Sequence, residues 1–451
     1  MQFWILYFIA YTIPINDDVV FEKLIREKNY QLYSVRFSEP IRFTNPTFSQ
    51  LKEQCKPYTI CSNFETFYYD SCTVDFYPRF IYDKVNYGLV VEPFFRLGKV
   101  RGWPYIKWDN KIAGAFSRAY FFYDKHPFVF CTGRNRIHIN LGALLAEEDP
   151  PIDMLLLSYK NEYFNFYYFT GQLDPRITSD STHFYKRGEL KNRYLSGHSL
   201  ELKGKNFSFS LTELVIYFTN TNIPDPYFSN PFTLYYSKHF DEREYGEHNA
   251  CWLLSCNFWN TRFSSHFEFL IDDFHLPDNK MWAPHKLAWI YKLYVVDCPF
   301  KNSISGVSYT GATRWTYTHG LNLLYYNNRG EVMGSLNEND FDRIEIFTRK
   351  HLSKRFDLKS SFWFKRKGEA STEEKDIYWD YLEENINYPR EYFLTGIVEK
   401  RFGSGIEFDY HTPRIVIRST LEYDWICNYK HIQGNKGNEL RLKLYGSAGI
   451  F

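Results

Sequence analysis

The stretch KNFSFSLTEL, residues 205–214, puts Phe207, Phe209 and Leu211 on one face of an extended chain and Ser208, Ser210 and Thr212 on the other, because successive strand side chains point to opposite sides. The same period of two returns in RFDLKSSFWF (355–364), where Phe356, Leu358, Phe362 and Phe364 oppose Asp357, Lys359, Ser361 and Trp363. GIEFDYH (405–411) sets Ile406, Phe408 and Tyr410 against Glu407, Asp409 and His411. PRIVIRSTLEY (413–423) and NELRLKLYG (438–446) repeat the pattern almost to the end of the chain. A soluble β-sandwich also alternates. Here the polar faces carry full charges in nearly every strand, as the inner face around a wet lumen requires. The pattern predicts an all-β protein: one large transmembrane antiparallel β-barrel of about 16–18 strands over residues 75–451. Gly403-Ser404-Gly405 and Asn435–Asn438 read as turns. DEREYGEHN (241–249) and residues 367–389 read as longer loops on the opposite rim.

Composition narrows the partners. The 54 Lys and Arg nearly cancel the 53 Asp and Glu, so the basic footprint of a nucleic-acid-binding protein is missing and no nucleic acid is expected as a partner. Aromatic residues make up 20% of the chain, with 38 Tyr and 42 Phe, a bias that suits strands and membrane-interface girdles. No run approaches the ~18 consecutive apolar residues of a spanning helix, so insertion has to be by strands, with outer-membrane lipid as the surroundings.

Residues 1–15, MQFWILYFIAYTIPI, have the length of a signal-peptide core and are followed by Asn16, Asp17 and Asp18, so export is expected. Residues 16–74 read differently from the rest, since VVFEKLIREKNYQLY (19–33) and PTFSQLKEQC (46–55) space apolar residues at helical intervals. They predict a small helical N-terminal segment at the periplasmic end, or plugging the barrel. The eight cysteines fit no zinc spacing, and no metal site or other cofactor is expected. Cys55, Cys61 and Cys72 leave room for one disulfide in an oxidising periplasm.

A family resemblance adds to this. Taken in order, FVFCTGRNRIHI (128–139), residues 150–174, residues 193–217, YFSNPFTLYYSKHF (227–240), FEFLIDDFHL (267–276), HKLAWIYKLYV (285–295), RWTYTHG (314–320) and PREYFLTGIVEKRF (389–402) resemble the Wzi-type capsule-assembly proteins. The resemblance covers about three quarters of the chain. It implies a Gram-negative outer-membrane barrel of about 18 strands, a helical element at its periplasmic end, and capsular or other surface polysaccharide as partner. The chain departs from the family at IHINLGALLAEEDPP (137–151), where a glycine-rich turn is usual.

Candidate functional residues fall into two groups. Arg134 and Arg136 lie two apart in one strand and, facing the lumen, would meet carboxylates such as Glu213 and Asp272 in an ion network. Trp315, Tyr317 and His319 share a face in RWTYTHG, and Tyr378, Trp379 and Tyr381 crowd DIYWDYLEENINYP (376–389). Rings beside hydrogen-bonding groups suit sugar stacking, and they also suit an interface girdle. There is no G-x-S-x-G elbow, H-E-x-x-H, phosphate loop or dinucleotide fingerprint. The function expected is therefore non-enzymatic polysaccharide binding at the cell surface. A porin-like channel and, more remotely, an outer-membrane hydrolase are the alternatives.

Overall fold

The computed structural model describes residues 7–8, 60–67, 71–76, 78–84, 86–98, 107–109, 112–146, 149–178, 188–221, 223–238, 248–260, 262–273, 285–334, 336, 338–353, 355–372, 393–411 and 415–448. Eighteen antiparallel wall strands lie among them. The first nine are β1 (Ile60–Phe67), β2 (Ser71–Phe76, resumed as Pro78–Lys84), β3 (Tyr87–Gly98), β4 (Ile112–Lys125), β5 (Phe128–Asn135), β6 (Ile152–Lys160), β7 (Phe164–Gln172), β8 (Leu190–Lys203) and β9 (Phe207–Thr219). The second nine are β10 (His248–Trp259), β11 (Phe263–Asp273), β12 (Lys286–Val296), β13 (Ser303–Ala312), β14 (Phe341–Ser353), β15 (Phe356–Lys367), β16 (Glu399–His411), β17 (Ile415–Cys427) and β18 (Lys436–Ala448).

Each strand pairs with the next in sequence, and β1 closes on β18 from Ile60↔Ala448 to Phe67↔Arg441. Closure satisfies every ladder and leaves no edge, which a sheet surrounded by lipid requires. Connections such as 126–127, 161–163, 204–206 and 354–355 make one rim short. The connections at the other rim are longer, and of them the structure describes 136–146, 149–151, 173–178, 188–189, 220–221, 223–238, 313–334, 336, 338–340, 368–372 and 393–398.

The alternation of the opening stretch sets the two faces. Phe207, Phe209 and Leu211 are exposed on the outside, while Ser208, Ser210 and Thr212 are buried towards the lumen. Across the barrel Phe402, Ile406, Phe408, Ile417, Leu421, Tyr423, Trp425, Leu440 and Leu442 are exposed as well. So wide an apolar surface is a liability in water and a lipid face in a bilayer. From Ile417 to Trp425 it runs about 27 Å along the strand at 3.4 Å per residue, or roughly 20 Å of the membrane normal at the usual strand tilt.

Two expectations change. Residues 60–67 and 71–74, read as part of a helical segment, are wall strands paired with β18 and β3. The signal-peptide stretch and the remainder of the helical segment, 9–59, lie outside the described residues, apart from the two-residue strand Tyr7–Phe8. A helical N-terminal plug is not supported, and the helical turns among the described residues are short 3-10 segments. Gly403 and Gly405, read as a turn, sit inside β16. A Cβ at Gly403 would come within 2.0 Å of the Trp363 ring, so glycine here makes room for an inward tryptophan.

Leu421 lies mid-belt on the lipid face. The expected effect of Leu421→Arg is a loss of about 2–4 kcal/mol of folding free energy in denaturant titrations from vesicles. An effect near zero would mean that this face is not in contact with hydrocarbon.

Candidate functional site

The lumen is filled from the long-loop rim. Residues 136–146 turn inward and bury Leu141, Ala143, Leu144, Leu145 and Ala146. Residues 313–336 turn inward against them and bury Trp315, Tyr317, Leu323, Leu324, Tyr326 and Met333. With inward residues from many wall strands, among them Tyr120, Leu195, Leu214, Leu253, Leu270, Ile290, Tyr294 and Phe347, most of these make one continuous core. The loops bind each other through Tyr317 Oη to the Ala143 carbonyl (2.8 Å) and Tyr326 Oη to the Leu144 carbonyl (2.8 Å). Gly334, at φ 94°, passes so near that a Cβ would lie 2.6 Å from the Ala143 oxygen.

Irregular backbone within a barrel needs partners for its polar groups, and wall side chains supply them. Arg193 of β8 is wholly buried and donates to the carbonyls of Leu323 (2.6 Å), Tyr325 (2.7 Å) and Asn327 (3.0 Å) and to the Asp174 carboxylate (2.9 Å). Glu268 of β11 accepts the amides of Leu141 and Ala143. Asp272 accepts the Tyr317 amide at 2.7 Å and the Cys251 thiol at 3.1 Å. These contacts also hold Tyr317 at φ 69°, a left-handed conformation that costs about 1–2 kcal/mol in a bulky residue. Burial pushes the Tyr317 and Tyr326 phenols well above their ordinary value, so both remain neutral donors.

The expected lumen ion network does not form. Arg134 pairs with Asp153 at 2.6 Å, on the side opposite the lumen core that Ile152 and Met154 join. Gly133, at φ 116°, interrupts the strand just before it. Arg136 lies past the end of β5. Glu213 has the outward parity of Phe209 and Leu211; its carboxylate meets His198 Nε2 at 3.3 Å and accepts the Trp252 indole N–H at 2.9 Å. It also accepts the amides of Tyr235 and Tyr236, from a connection folded over the outside of the wall. Of the four, Asp272 alone faces the lumen, where its partners are the plug and Cys251. Ion pairs line the interior elsewhere, among them Arg349 with Glu407 and with Asp409 at 3.7 Å, Arg418 with Asp409 at 2.6 Å, and Arg118 with Glu92 at 3.9 Å.

Trp315 and Tyr317 are buried in the plug, so neither presents a ring face to a sugar. His319 is partly buried and accepts the Leu321 amide at 3.2 Å. Tyr378, Trp379 and Tyr381 lie outside the described residues. Both feet of the connection that carries them are described. Asp340, in the second plug loop, accepts Ala370 N–H (3.2 Å), Thr395 N–H (3.2 Å) and Thr395 Oγ1–H (2.6 Å). Beside the second foot opens a cavity of about 470 Å³ lined by Arg366, Leu394, Gly396, Ile397, Val398, Lys400, Asn428 and Gln433. Its size falls in the range of small-ligand pockets. Its mixture of apolar carbons, amides and cationic groups suits a sugar ring and its hydroxyls. Sequence reading did not single out these residues, because they come from β15, β16, the turn before β18 and a loop foot, and share no local motif.

No family model and no curated protein matches the chain. Among solved structures it is similar to Wzi of Escherichia coli, described as an outer-membrane protein involved in group 1 capsule assembly and a carbohydrate-binding β-barrel. The TM-score is 0.58 at 8% identity, over 89% of this chain and 86% of that one. A BenF-like porin from Pseudomonas fluorescens gives 0.49 at 9% identity over 87% and 97%, and Pseudomonas aeruginosa OprD gives 0.48 at 11% over 92% and 100%. At such identities the likeness to Wzi is one of fold. With the closed wall and its apolar belt, that fold defines an outer-membrane β-barrel.

Arg193→Ala removes a buried cation from three carbonyls and a carboxylate, so a loss of about 3–5 kcal/mol is expected. It should be read as proteolysis of residues 313–336 while the barrel still migrates as a folded, heat-modifiable band. Alkaline pH should act on the same contacts. The folded phenols stay neutral above the ordinary tyrosine value of 10.0 where the unfolded chain ionises, so plug protection is constant below that pH and falls above it.

Proposed function

We propose that the protein is a non-enzymatic outer-membrane barrel that binds an extended surface polysaccharide at its long-loop rim and assists its attachment or assembly as a capsule-like layer. The observation that carries this reading is the plug. With 137–146 and 315–333 packed in the lumen, the accessible surface of mixed chemistry is the rim, where the cavity at Arg366, Lys400, Asn428 and Gln433 adjoins the connection bearing Tyr378, Trp379 and Tyr381. Rings and amides on one rim hold a sugar chain by many weak contacts. Tyr378, Trp379 and Tyr381 are the ligand contacts in this reading, and Trp315 and Tyr317 serve the plug. The sequence resemblance to Wzi-type proteins, and the carbohydrate binding described for Wzi itself, point the same way.

The competing reading is a channel. The charged lumen face of β14–β17 favours it, since paired charges line the passages of ion-selecting barrels. In planar bilayers the polysaccharide-binding reading expects no steady conductance from the intact protein. A stable open channel would favour the porin.

Changing Tyr378, Trp379 and Tyr381 together to alanine is expected to lower retention of capsule-like polysaccharide on cells by roughly 1–3 kcal/mol per ring lost, the scale of an aromatic contact with its buried area, with insertion unchanged. Unaltered retention would remove this loop as the site. Release of shortened sugars by the purified protein would show that the polysaccharide is cleaved and not only bound.

A further inference from the structure

The outside of the wall is not uniformly apolar. Across β7–β10 the outward rows nearest the short rim are Phe164, Leu202, Phe209 and Cys256, then Phe166, Leu200, Leu211 and Leu254. Above them the rows change to Tyr168, His198, Glu213 and Trp252, then Thr170, Ser196, Val215 and Ala250, then Gln172, Tyr194, Tyr217 and His248. From Phe207 to Leu211 the apolar part rises only about 13 Å along the strand, roughly 10 Å of the normal, against a belt about 25 Å tall.

The polar rows are roofed. The connection after β9 folds back over them, burying Phe228 and Tyr235 against Tyr194, Val215 and Tyr217. Tyr168 Oη donates to the Ser229 carbonyl at 2.6 Å, and Glu213 takes the amides of Tyr235 and Tyr236 at 2.9 and 2.8 Å. The Tyr235 ring lies 4.7 Å from His198. The outward side of this connection carries large apolar side chains beside Asn230 and the Asp225–Lys238 ion pair at 3.1 Å. Phe232 is 84% exposed, Ile223 69% and Leu234 63%, and Phe232 stacks at 6.0 Å on Phe166 of the upper apolar row.

We infer that residues 223–238 form a lipid-immersed flap, whose occupant partner is the acyl chains of the outer leaflet: Ile223, Phe232 and Leu234 continue the apolar belt upward where the wall itself turns polar. An extracellular loop in water has no reason to carry three exposed apolar side chains over a wall face that lipid cannot wet. Continuity through Phe166 and Phe232 places the flap at belt height, and the polar rows beneath it explain why it must stay closed in lipid. The inference rests on the barrel fold and not on polysaccharide binding.

The test places a photo-crosslinking p-benzoylphenylalanine at Phe232 in the full-length protein, reconstituted in dioleoylphosphatidylcholine vesicles, with Leu234 as a second, independent position. Phe209 serves as the lipid-facing control and Tyr163, in a short turn, as the aqueous one; heat-modifiable migration confirms that each variant is folded. The expected result is a mass gain of one lipid on the peptides bearing 232 and 234, as abundant as at 209 and absent at 163. Crosslinking to a second copy of the chain would overturn the proposal in favour of a protein interface. Absence of any adduct at both positions, with adduct at 209, would place the flap in water and overturn it too.

Discussion

Two irregular loops can lie inside this barrel because wall side chains complete their backbone hydrogen bonds. An unpaired peptide group removed from water costs on the order of 1–3 kcal/mol, and residues 136–146 and 313–328 bring many such groups into the lumen. Arg193, Glu268 and Asp272 answer them from β8 and β11. Without these three the apolar residues of the loops would still favour burial, but their amides and carbonyls would oppose it by more than a few buried leucines contribute. Tyr317 and Tyr326 then tie one loop to the other, so the plug is one body fixed to one side of the wall.

The same accounting works outside the wall with the sign of the medium changed. Glu213 is a charged group on a lipid-facing row, and at that position hydrocarbon would be expensive. Four hydrogen-bonding or ionic partners, from His198, Trp252 and the Tyr235 and Tyr236 amides, surround it. A connection that belongs to the long rim is thereby drawn down onto the barrel. In both places a carboxylate on a regular strand organises a segment that has no regular structure of its own, much as a capping side chain orders a helix end.

How far this was legible in the sequence depends on the length over which a signal acts. Period-two alternation is local and strong, and Phe207, Phe209 and Leu211 sit where it put them. Glu213 follows the parity of that same stretch outward, so its placement in the lumen network contradicted a pattern already read. The plug was not legible, because IHINLGALLAEEDPP and RWTYTHGLNLLYYNNRG are apolar without the period of strand or helix. Trp315 and Tyr317, paired by strand logic, occupy a turn in which that logic does not apply. The helical reading failed at Ile60–Phe67 because pairing to β18, nearly four hundred residues away in sequence, outweighs local preference. The rim cavity was invisible because its lining comes from two strands, a loop foot and a turn that share no local motif.

The division of labour that results bears on function. A plug anchored by buried ionic groups leaves little freedom at the base of the long connections, and Asp340 belongs both to that plug loop and to the foot of residues 368–398. A loop whose two feet are held at one carboxylate can vary in sequence between them without disturbing the wall. An open passage would ask for the opposite arrangement, with inward loops held by contacts that water can replace. Here Trp315, Tyr317 and Tyr326 are fully buried, and moving them costs the burial of three large rings. The wall and plug together therefore form a rigid base for the long connections.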